Sequence, residues 1–277
     1  MGWLFLLPLI AVHVLVVLGP SVAAVYYAFT DWTGVGGANF VGIDNFTRLW
    51  SDPDFWSGLW HNVEWTAFFL TVPMAMGMLG AFLLSRVRRF RLAFRLVYFI
   101  PFVLASVVNA AVWQSLLDPE TGLAPTLGLG HISFFGDPSL ALGSVAFVDS
   151  WHFWGFLLVL FLASMQSIDR ELYEAARMDG ATPWREFWNI TLPGMRSTLV
   201  FAAILVTIWS FLTFDYVYII TQGGPAGATE TAATYLYKEA FTYNEAGYAA
   251  AMGLSLSFVS VLCGGGYLLA RRLGWRV

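Results

Sequence analysis

Six long apolar segments dominate this sequence of 277 residues and limit the folds open to it. A helix needs about 20 largely apolar residues to cross a bilayer, and in lipid its backbone must satisfy its own hydrogen bonds. Only 12% of the residues are charged, against roughly 25% in soluble domains. We therefore predict an all-α integral membrane protein with one transmembrane domain over residues 1–277. Its six predicted helices cover residues 2–28, 63–84, 94–117, 142–165, 199–220 and 248–270.

The basic residues predict the orientation of these helices, because Lys and Arg are enriched in cytoplasmic loops. Twelve of the 14 fall on one side of the predicted spans, so both termini are expected in the cytoplasm. We interpret the arginines of residues 86–95 as a topology anchor rather than a lipid or nucleic-acid site, and the net charge of −4 gives no reason to expect nucleic acid. The cytoplasmic set is Arg86, Arg88, Arg89, Arg91, Arg95, Arg170, Arg177, Arg185, Arg196, Arg271, Arg272 and Arg276; the outer set is Arg48 and Lys238.

The first apolar segment is predicted to be a true span, kinked at Gly19-Pro20. It lacks a basic start and is too long for the core of a signal peptide. Since no charge precedes it, we expect that a basic cytoplasmic extension could lie outside this chain. Cys263 is the single cysteine and is expected to be a small apolar residue without a disulfide or metal partner.

The predicted outer loops cover residues 30–62, 118–141 and 221–247. The third contains Gly223-Gly224-Pro225, which cannot continue a helix. Residues 229–241 are then expected to form an amphipathic helix in the outer interface, beside the mouth of a pathway, with Lys238 and Glu239 facing outward; an ordinary capping loop is the alternative. Five tryptophans are expected at the membrane interface or against a partner protein: Trp32, Trp50, Trp56, Trp60 and Trp65.

A polar stretch over residues 166–198 carries the signals of two short helices joined by a tight turn. Asp169 is a suitable N-cap for the first helix, and Gly180 can adopt the left-handed conformation that ends it. Thr182-Pro183 supplies the cap and first turn of the second helix, which Leu192-Pro193 is expected to end. The sequence therefore predicts a helix–turn–helix at the cytoplasmic surface.

Residues 166–198 also contain more large apolar side chains than a solvated loop requires. Two readings remain open: the side chains dock onto a partner protein, or they pack on the protein's own cytoplasmic end. Ala175 and Ala176 would let another backbone approach closely, and Glu174 and Asp179 offer carboxylates to a partner. The apolar side chains concerned are Tyr173, Met178, Trp184, Phe187 and Trp188.

Three groups of residues in this stretch resemble the EAA loop of binding-protein-dependent ABC importer permeases. They are Glu174-Ala175-Ala176, Asp179-Gly180-Ala181 and Ile190-x-Leu192-Pro193. The resemblance implies a type I importer permease fold and a loop that inserts into a cleft of an ATP-hydrolysing subunit. It implies ATPase-coupling roles for Glu174, Ala175, Ala176, Asp179, Gly180, Ala181, Leu192 and Pro193. One departure is Ser197, where such sequences often carry proline.

Other stretches are similar to carbohydrate permeases of the maltose and glycerol-3-phosphate type. They are residues 39–46, residues 52–56 and Thr221-Gln222-Gly223-Gly224-Pro225; the last resembles the first of the two permease subunits and implies an outer gate loop at Gly223, Gly224 and Pro225. The implied assembly in a bacterial or archaeal cytoplasmic membrane holds a second permease, two ATP-hydrolysing subunits, an extracytoplasmic solute-binding protein and membrane lipid, without nucleic acid. ATP and Mg²⁺ would be bound by the partner ATPase, and no cofactor by this chain.

Polar and aromatic residues inside the spans suggest a solute path. Ionisable groups in a membrane are costly and usually face a cavity or a partner, and carboxylates, amides and aromatic faces suit a sugar. Gln114 is a further candidate for the path, and for every candidate the alternative is interhelical hydrogen bonding or a position at the outer headgroup level. The candidates are Asn109, Asp149, His152, Trp154, Trp209, Phe214, Asp215 and Tyr216.

The resemblance thus implies the permease subunit of an ATP-driven importer that moves a sugar or polyol inward. A phosphate-binding Gly-rich loop with its lysine is missing from the sequence, so ATP hydrolysis is assigned to a partner. An ion- or proton-coupled transporter using Asp149, His152 and Asp215 is the alternative. A membrane enzyme or signalling protein has no catalytic constellation to support it.

Overall fold

The computed structural model describes residues 2–87 and 89–272. Arg88 and Arg276, which contribute to the predicted orientation, lie outside the described residues. So do the side chains of Arg91, Cys263, Arg271 and Arg272.

The described residues are almost entirely helical, with a single isolated antiparallel bridge between Thr30 and Phe40. Five helices are long and apolar enough to span a membrane, and a sharply bent pair makes a sixth span. This agrees with the predicted all-α membrane fold. In chain order the elements are α1 Gly2–His13, a π-helical turn Val14–Leu18, α2 Gly19–Tyr27, α3 Asp44–Ser51, α4 Pro53–Arg86, α5 Arg91–Val103, α6 Ser106–Leu117, α7 Leu123–Thr126, α8 Ala141–Gln166, α9 Arg170–Met178, α10 Pro183–Glu186, a π-helical turn Phe187–Thr191, α11 Leu192–Gly194, α12 Arg196–Phe211, α13 Asp215–Ile220, α14 Ala232–Phe241 and α15 Ala246–Arg272.

The first span accommodates Gly19-Pro20 with a π-helical turn over Val14–Leu18. The N–H of Gly19 bonds to the carbonyl of Val14, five residues back. Because Pro20 has no N–H to donate, the widened turn adjusts the hydrogen-bond ladder beside it. The helix continues as α2, so Phe5–Tyr27 remains one membrane-crossing unit.

The second span begins about ten residues before the predicted boundary at residue 63. Helix α4 starts at Pro53, where Asp52 accepts hydrogen bonds from the N–H groups of Asp54 and Phe55. The N-cap and a proline in the first turn outweigh the polar character of the next residues. The predicted loop over residues 30–62 therefore contains α3 and the outer end of α4.

The third span is broken, whereas the sequence predicts one continuous helix over residues 94–117. The axes of its two halves, α5 and α6, differ by 100°. Leu104 and Ala105 are extended, three residues after Pro101, which cannot donate to the helix ladder. Broken helices are tolerated at membrane depth where the freed backbone lies against protein or a cavity.

The outer end of the fifth span and the loop that follows it also differ from prediction. The fifth span is interrupted between α12 and α13. Helix α14 begins at Ala232, after a capping box made by Thr231 and Thr234, rather than at residue 229. Glu239 does not face outward: its side chain is 6% exposed beside Arg48, because α14 lies across α4 and α15.

The core lies where α4 packs along α8. Its largest fully buried side chains include Trp65 and Phe161. Gly155 of α8 allows α5 to cross closely, since an added Cβ would lie 2.2 Å from the carbonyl oxygen of Tyr98. Small residues permit such approaches between membrane helices. This packing fixes the broken span against the core.

Candidate functional site

The helix–turn–helix predicted at residues 166–198 is present. Helix α9 begins after Asp169, whose carboxylate accepts a 3.0 Å hydrogen bond from the N–H of Glu171. Helix α10 begins after Thr182, whose hydroxyl accepts from the N–H of Arg185 at 3.4 Å, and Pro183 occupies its first turn. We call residues 166–198, which contain α9, α10 and α11, the coupling hairpin, after the role that the resemblance implies.

Gly180 forms the turn in the left-handed conformation, with φ of +76°. The N–H of Ala181 donates to the carbonyl of Ala176 at 2.9 Å, and that of Gly180 to Arg177 at 3.0 Å. These bonds satisfy the carbonyls left free at the end of α9. Local backbone bonds thus close the turn.

The second helix continues beyond α10 through the π-helical turn Phe187–Thr191 and into α11. It ends at Gly194, one residue after the predicted stop at Leu192-Pro193. The hydroxyl of Thr191 bonds to the carbonyl of Glu186 at 3.3 Å inside the widened turn. Because Pro193 has no N–H to donate, the π-helical turn adjusts the ladder before it.

Glu186 joins the coupling hairpin to the second span, and sequence reasoning missed it. Its side chain is 2% exposed and accepts from Arg177 Nε at 2.8 Å and Arg86 Nη2 at 3.0 Å. The hydrogen bond from Arg177 holds the pKa of Glu186 below its usual value, despite the opposing effect of burial. The carboxylate is therefore a charged structural link to the end of α4.

Some apolar side chains of the coupling hairpin pack on the protein itself, and others are exposed and available to a partner protein. Phe187 packs edge-on against Phe82 of α4, with ring centroids 4.9 Å apart. Met178 and Trp184 are 88% and 63% exposed, and Trp188 is half exposed. The predicted coupling residues Glu174, Ala175, Asp179, Gly180 and Pro193 are exposed, and Ala176, Ala181 and Leu192 are half-buried.

A second site is a cavity of about 290 Å³ among the spans. Its lining comes from six helices and from the residues between α12 and α13. The helices are α4, α5, α6, α8, α12 and α13, with α5 contributing Phe102. Six of the eight predicted path residues line it: Asp149, His152, Trp209, Phe214, Asp215 and Tyr216.

The ionisable groups of the cavity make few contacts with each other. Asp149 Oδ1 lies 3.9 Å from His152 Nδ1, one turn along α8. The hydroxyl of Ser106 lies 3.5 Å from Asp215 Oδ2. Among the described lining residues there is no Lys or Arg. The carboxylates are thus placed where hydroxyl groups of a solute could donate to them.

Two predicted path residues lie behind the cavity wall instead. Asn109 is buried and donates from Nδ2 to the hydroxyl of Tyr216 at 2.9 Å, so it orients a lining residue. Trp154 packs beside Tyr98 of α5, with centroids 6.0 Å apart. Gln114 donates to the carbonyl of Ile220 at 3.2 Å, which is interhelical bonding rather than lining.

Sequence reasoning missed Phe102 and Ser106, which line the cavity beside the break in the third span. Neither residue type is unusual in a membrane helix. Pro101 was the sequence signal for the break beside them, because a proline inside an apolar run favours an interruption of the helix.

The third outer loop is held by hydrogen bonds within the loop and by a side chain of the second span. Gly223 has φ of +84°, and the hydroxyl of Thr229 donates to the carbonyl of Gly224 at 2.7 Å. Asn62 of α4 donates to the carbonyl of Ser210 at 2.7 Å and accepts from the N–H of Ala232 at 3.0 Å. One amide therefore joins the second span, the interruption of the fifth and the start of α14.

Known proteins are similar to this chain in sequence and in architecture. Residues 74–273 match the family described as "Binding-protein-dependent transport system inner membrane component". The chain is 35% identical to the diacetylchitobiose uptake system permease protein NgcF of Streptomyces coelicolor, over 95% of this chain and 80% of that protein. It is 30% identical to the trehalose/maltose transport system permease protein MalF of Thermococcus litoralis, over 95% and 90%. A solved bacterial ABC transporter involved in alginate import has the same fold, with a TM-score of 0.86, 23% identity and coverage of 98% of this chain and 95% of that one.

Proposed function

Because this chain belongs to the binding-protein-dependent transport system inner membrane components, and is thus a membrane permease subunit of an ABC importer, we propose that its solute is a sugar or polyol. The observation that carries the proposal is the cavity of aromatic rings and carboxylates at Asp149, Trp209 and Asp215. Carboxylates accept bonds from hydroxyl groups, and aromatic faces cover C–H surface. The names of similar permeases for diacetylchitobiose, trehalose/maltose and xylose/arabinose support it.

The proposed assembly contains this chain over residues 1–277 as one transmembrane domain, a second permease, two ATP-hydrolysing subunits and a solute-binding protein outside. ATP and Mg²⁺ bind to the ATPase subunits, and this chain has no ATPase site or cofactor of its own. A solved relative in complex with a pentasaccharide-bound periplasmic protein supports the outer partner.

In this proposal, the coupling hairpin over residues 166–198 docks on an ATPase subunit. Its exposed Glu174, Asp179 and Met178 would make the contact, and Glu186 would carry displacement to α4 through Arg86. At the other end, Gly223, Gly224 and Pro225 belong to the loop that closes the outer mouth, tied to α4 through Asn62.

The test is uptake by proteoliposomes that hold the complete complex. Diacetylchitobiose, maltose, trehalose and xylose are supplied with the binding protein, and ATP or a non-hydrolysable analogue is enclosed. We expect uptake of at least one sugar that requires ATP hydrolysis and is indifferent to a protonophore. Uptake without ATP, or uptake that collapses with the proton gradient, would contradict the proposal and favour a secondary transporter.

A further inference from the structure

Four aromatic rings follow one another from the cavity toward the outer surface. Phe214 and Tyr218 stack with centroids 5.0 Å apart, Tyr218 and Tyr237 are 4.9 Å apart, and Tyr237 and Phe241 are 4.8 Å apart. Phe214 is also 5.2 Å from Tyr237. Each pair on one segment is spaced by four residues, which places both rings on one helix face. We call these four rings the aromatic row.

The two ends of the aromatic row lie in different environments. Phe214 lines the cavity together with Trp209 and Asp215. Phe241 is 70% exposed at the end of α14. Tyr218 and Tyr237 lie between them and are half-buried, so part of each side chain is accessible.

We propose that the aromatic row is a binding track that conducts pyranose rings from the outer mouth into the cavity. This inference rests on the proposed function and names oligosaccharides as the preferred class. A pyranose presents a face of C–H bonds that gains free energy by covering an aromatic ring. Its hydroxyl groups stay at the edge, where the two tyrosine hydroxyls and water can bond them.

Rapid passage requires sites that bind well enough to admit a solute and weakly enough to release it. Neighbouring aromatic rings of similar chemistry meet this requirement, because a sugar loses one stacking contact as it gains the next. A disaccharide covers two rings at once, whereas a monosaccharide covers one. The track therefore favours longer sugars.

Packing alone does not account for the row, because α14 is anchored from its other side. Ala232 and Leu236 of α14 pack in a core with Met252 and its neighbours on α15. The hydroxyl of Tyr235 donates to Asp52 at 2.9 Å, and Thr231 Oγ1 donates to the carbonyl of Thr213 at 3.0 Å. These contacts hold the helix without Phe241.

The experiment compares F241L and Y237L with wild type in the complete reconstituted complex. Leucine keeps apolar volume and removes the ring. We expect KM for diacetylchitobiose, maltose or trehalose to rise roughly 2- to 10-fold per ring removed, the range of an aromatic contact, with the maximal rate retained. The rise should be smaller for xylose. F241W and Y237F keep a ring and should behave as wild type.

Tyr243 provides a matched control, since it is 60% exposed near Phe241 and is not one of the four rings. Y243L should leave KM unchanged for every sugar. Unchanged KM in F241L and Y237L would overturn the binding track. If these variants lose assembled complex while KM stays unchanged, the rings serve only helix packing, and the track is overturned as well. Failure of wild type to take up any of the four sugars is a distinct result that overturns the proposed function and the track with it.

Discussion

The coupling hairpin and the cavity both contain acidic side chains, but these acids are held in opposite ways: Glu186 is buried, whereas Asp149 is half-buried and Asp215 is exposed. In the hairpin, Glu186 meets the guanidinium groups of Arg86 and Arg177. In the cavity, Asp149 and Asp215 have near them only His152 and the hydroxyl of Ser106 among the described polar contacts. A carboxylate that accepts from two guanidinium groups has its acceptor sites occupied, whereas a weakly paired carboxylate can still accept from a ligand.

The two regions also differ in the reach of their contacts. Most hairpin bonds join residues two to five apart, such as the cap at Asp169. The cavity requires the packing of helices separated by more than 100 residues, as Asn109 and Tyr216 show. A local substitution should therefore disable the hairpin while the spans stay intact, and the cavity should respond to distant helix crossings.

The largest effect is expected from Gly180→Leu. A leucine at φ +76° is strained by about 1–2 kcal/mol, and its side chain alters the surface that is proposed to dock on an ATPase subunit. We expect transport to be abolished and co-purification with the ATPase to weaken, with all spans inserted. Gly180→Asn tolerates the left-handed conformation and should retain partial activity. Normal assembly and transport in the leucine variant would contradict the docking role.

Gly155→Ala should displace α5, which contributes Phe102 to the cavity wall. The new Cβ would lie 2.2 Å from the Tyr98 carbonyl, so α5 must move, at a cost of about 1–3 kcal/mol. We expect a lower melting temperature of the purified complex and reduced transport. Gly143→Ala on the same helix meets no atom within 4 Å and serves as the control. Equal melting of the two variants would show that the crossing tolerates displacement.

Asp215→Ala tests whether the weakly paired acids serve the solute. Loss of a hydrogen bond to a charged group should reduce uptake at low sugar concentration by roughly tenfold, while the amount of assembled complex is unchanged. Asp215→Asn keeps an acceptor and should lose less. Unchanged uptake in the alanine variant would remove Asp215 from the path.

Glu186→Gln is expected to have the smallest effect. Because Arg177 is exposed and screened by solvent, the link should contribute less to the free energy of unfolding than the helix crossing at Gly155 does. The pKa of Glu186 is lowered from 4.5, so this stabilisation is complete above about pH 4.5 and is lost as the pH falls through the lowered value. Thermal melting of variant and wild type should differ at pH 7 and converge in acid. Glu171→Gln, an exposed acid of the same hairpin, should match wild type at both.

The reach of contacts also explains what could be predicted from the sequence. Caps and glycine turns act over two to five residues, so Asp169, Gly180 and Thr182 were identified with their roles. The role of Glu186 as a link to α4 was missed because Arg86, the partner on that helix, lies 100 residues away. Charged cavity residues stand out in apolar runs, but the break at Leu104 depends on tertiary packing that periodicity does not record.

The length of α4 has a consequence for how the two sides of the membrane communicate. Its 34 residues extend about 51 Å at ~1.5 Å per residue, well beyond the ~30 Å hydrocarbon core. It is fastened by Arg86 at one end and by Asn62 near the other. In the proposed assembly this helix would transmit displacement in both directions, and thermodynamic reciprocity would then apply. If nucleotide binding below alters the affinity of the outer partner, that partner must alter nucleotide affinity by the same factor.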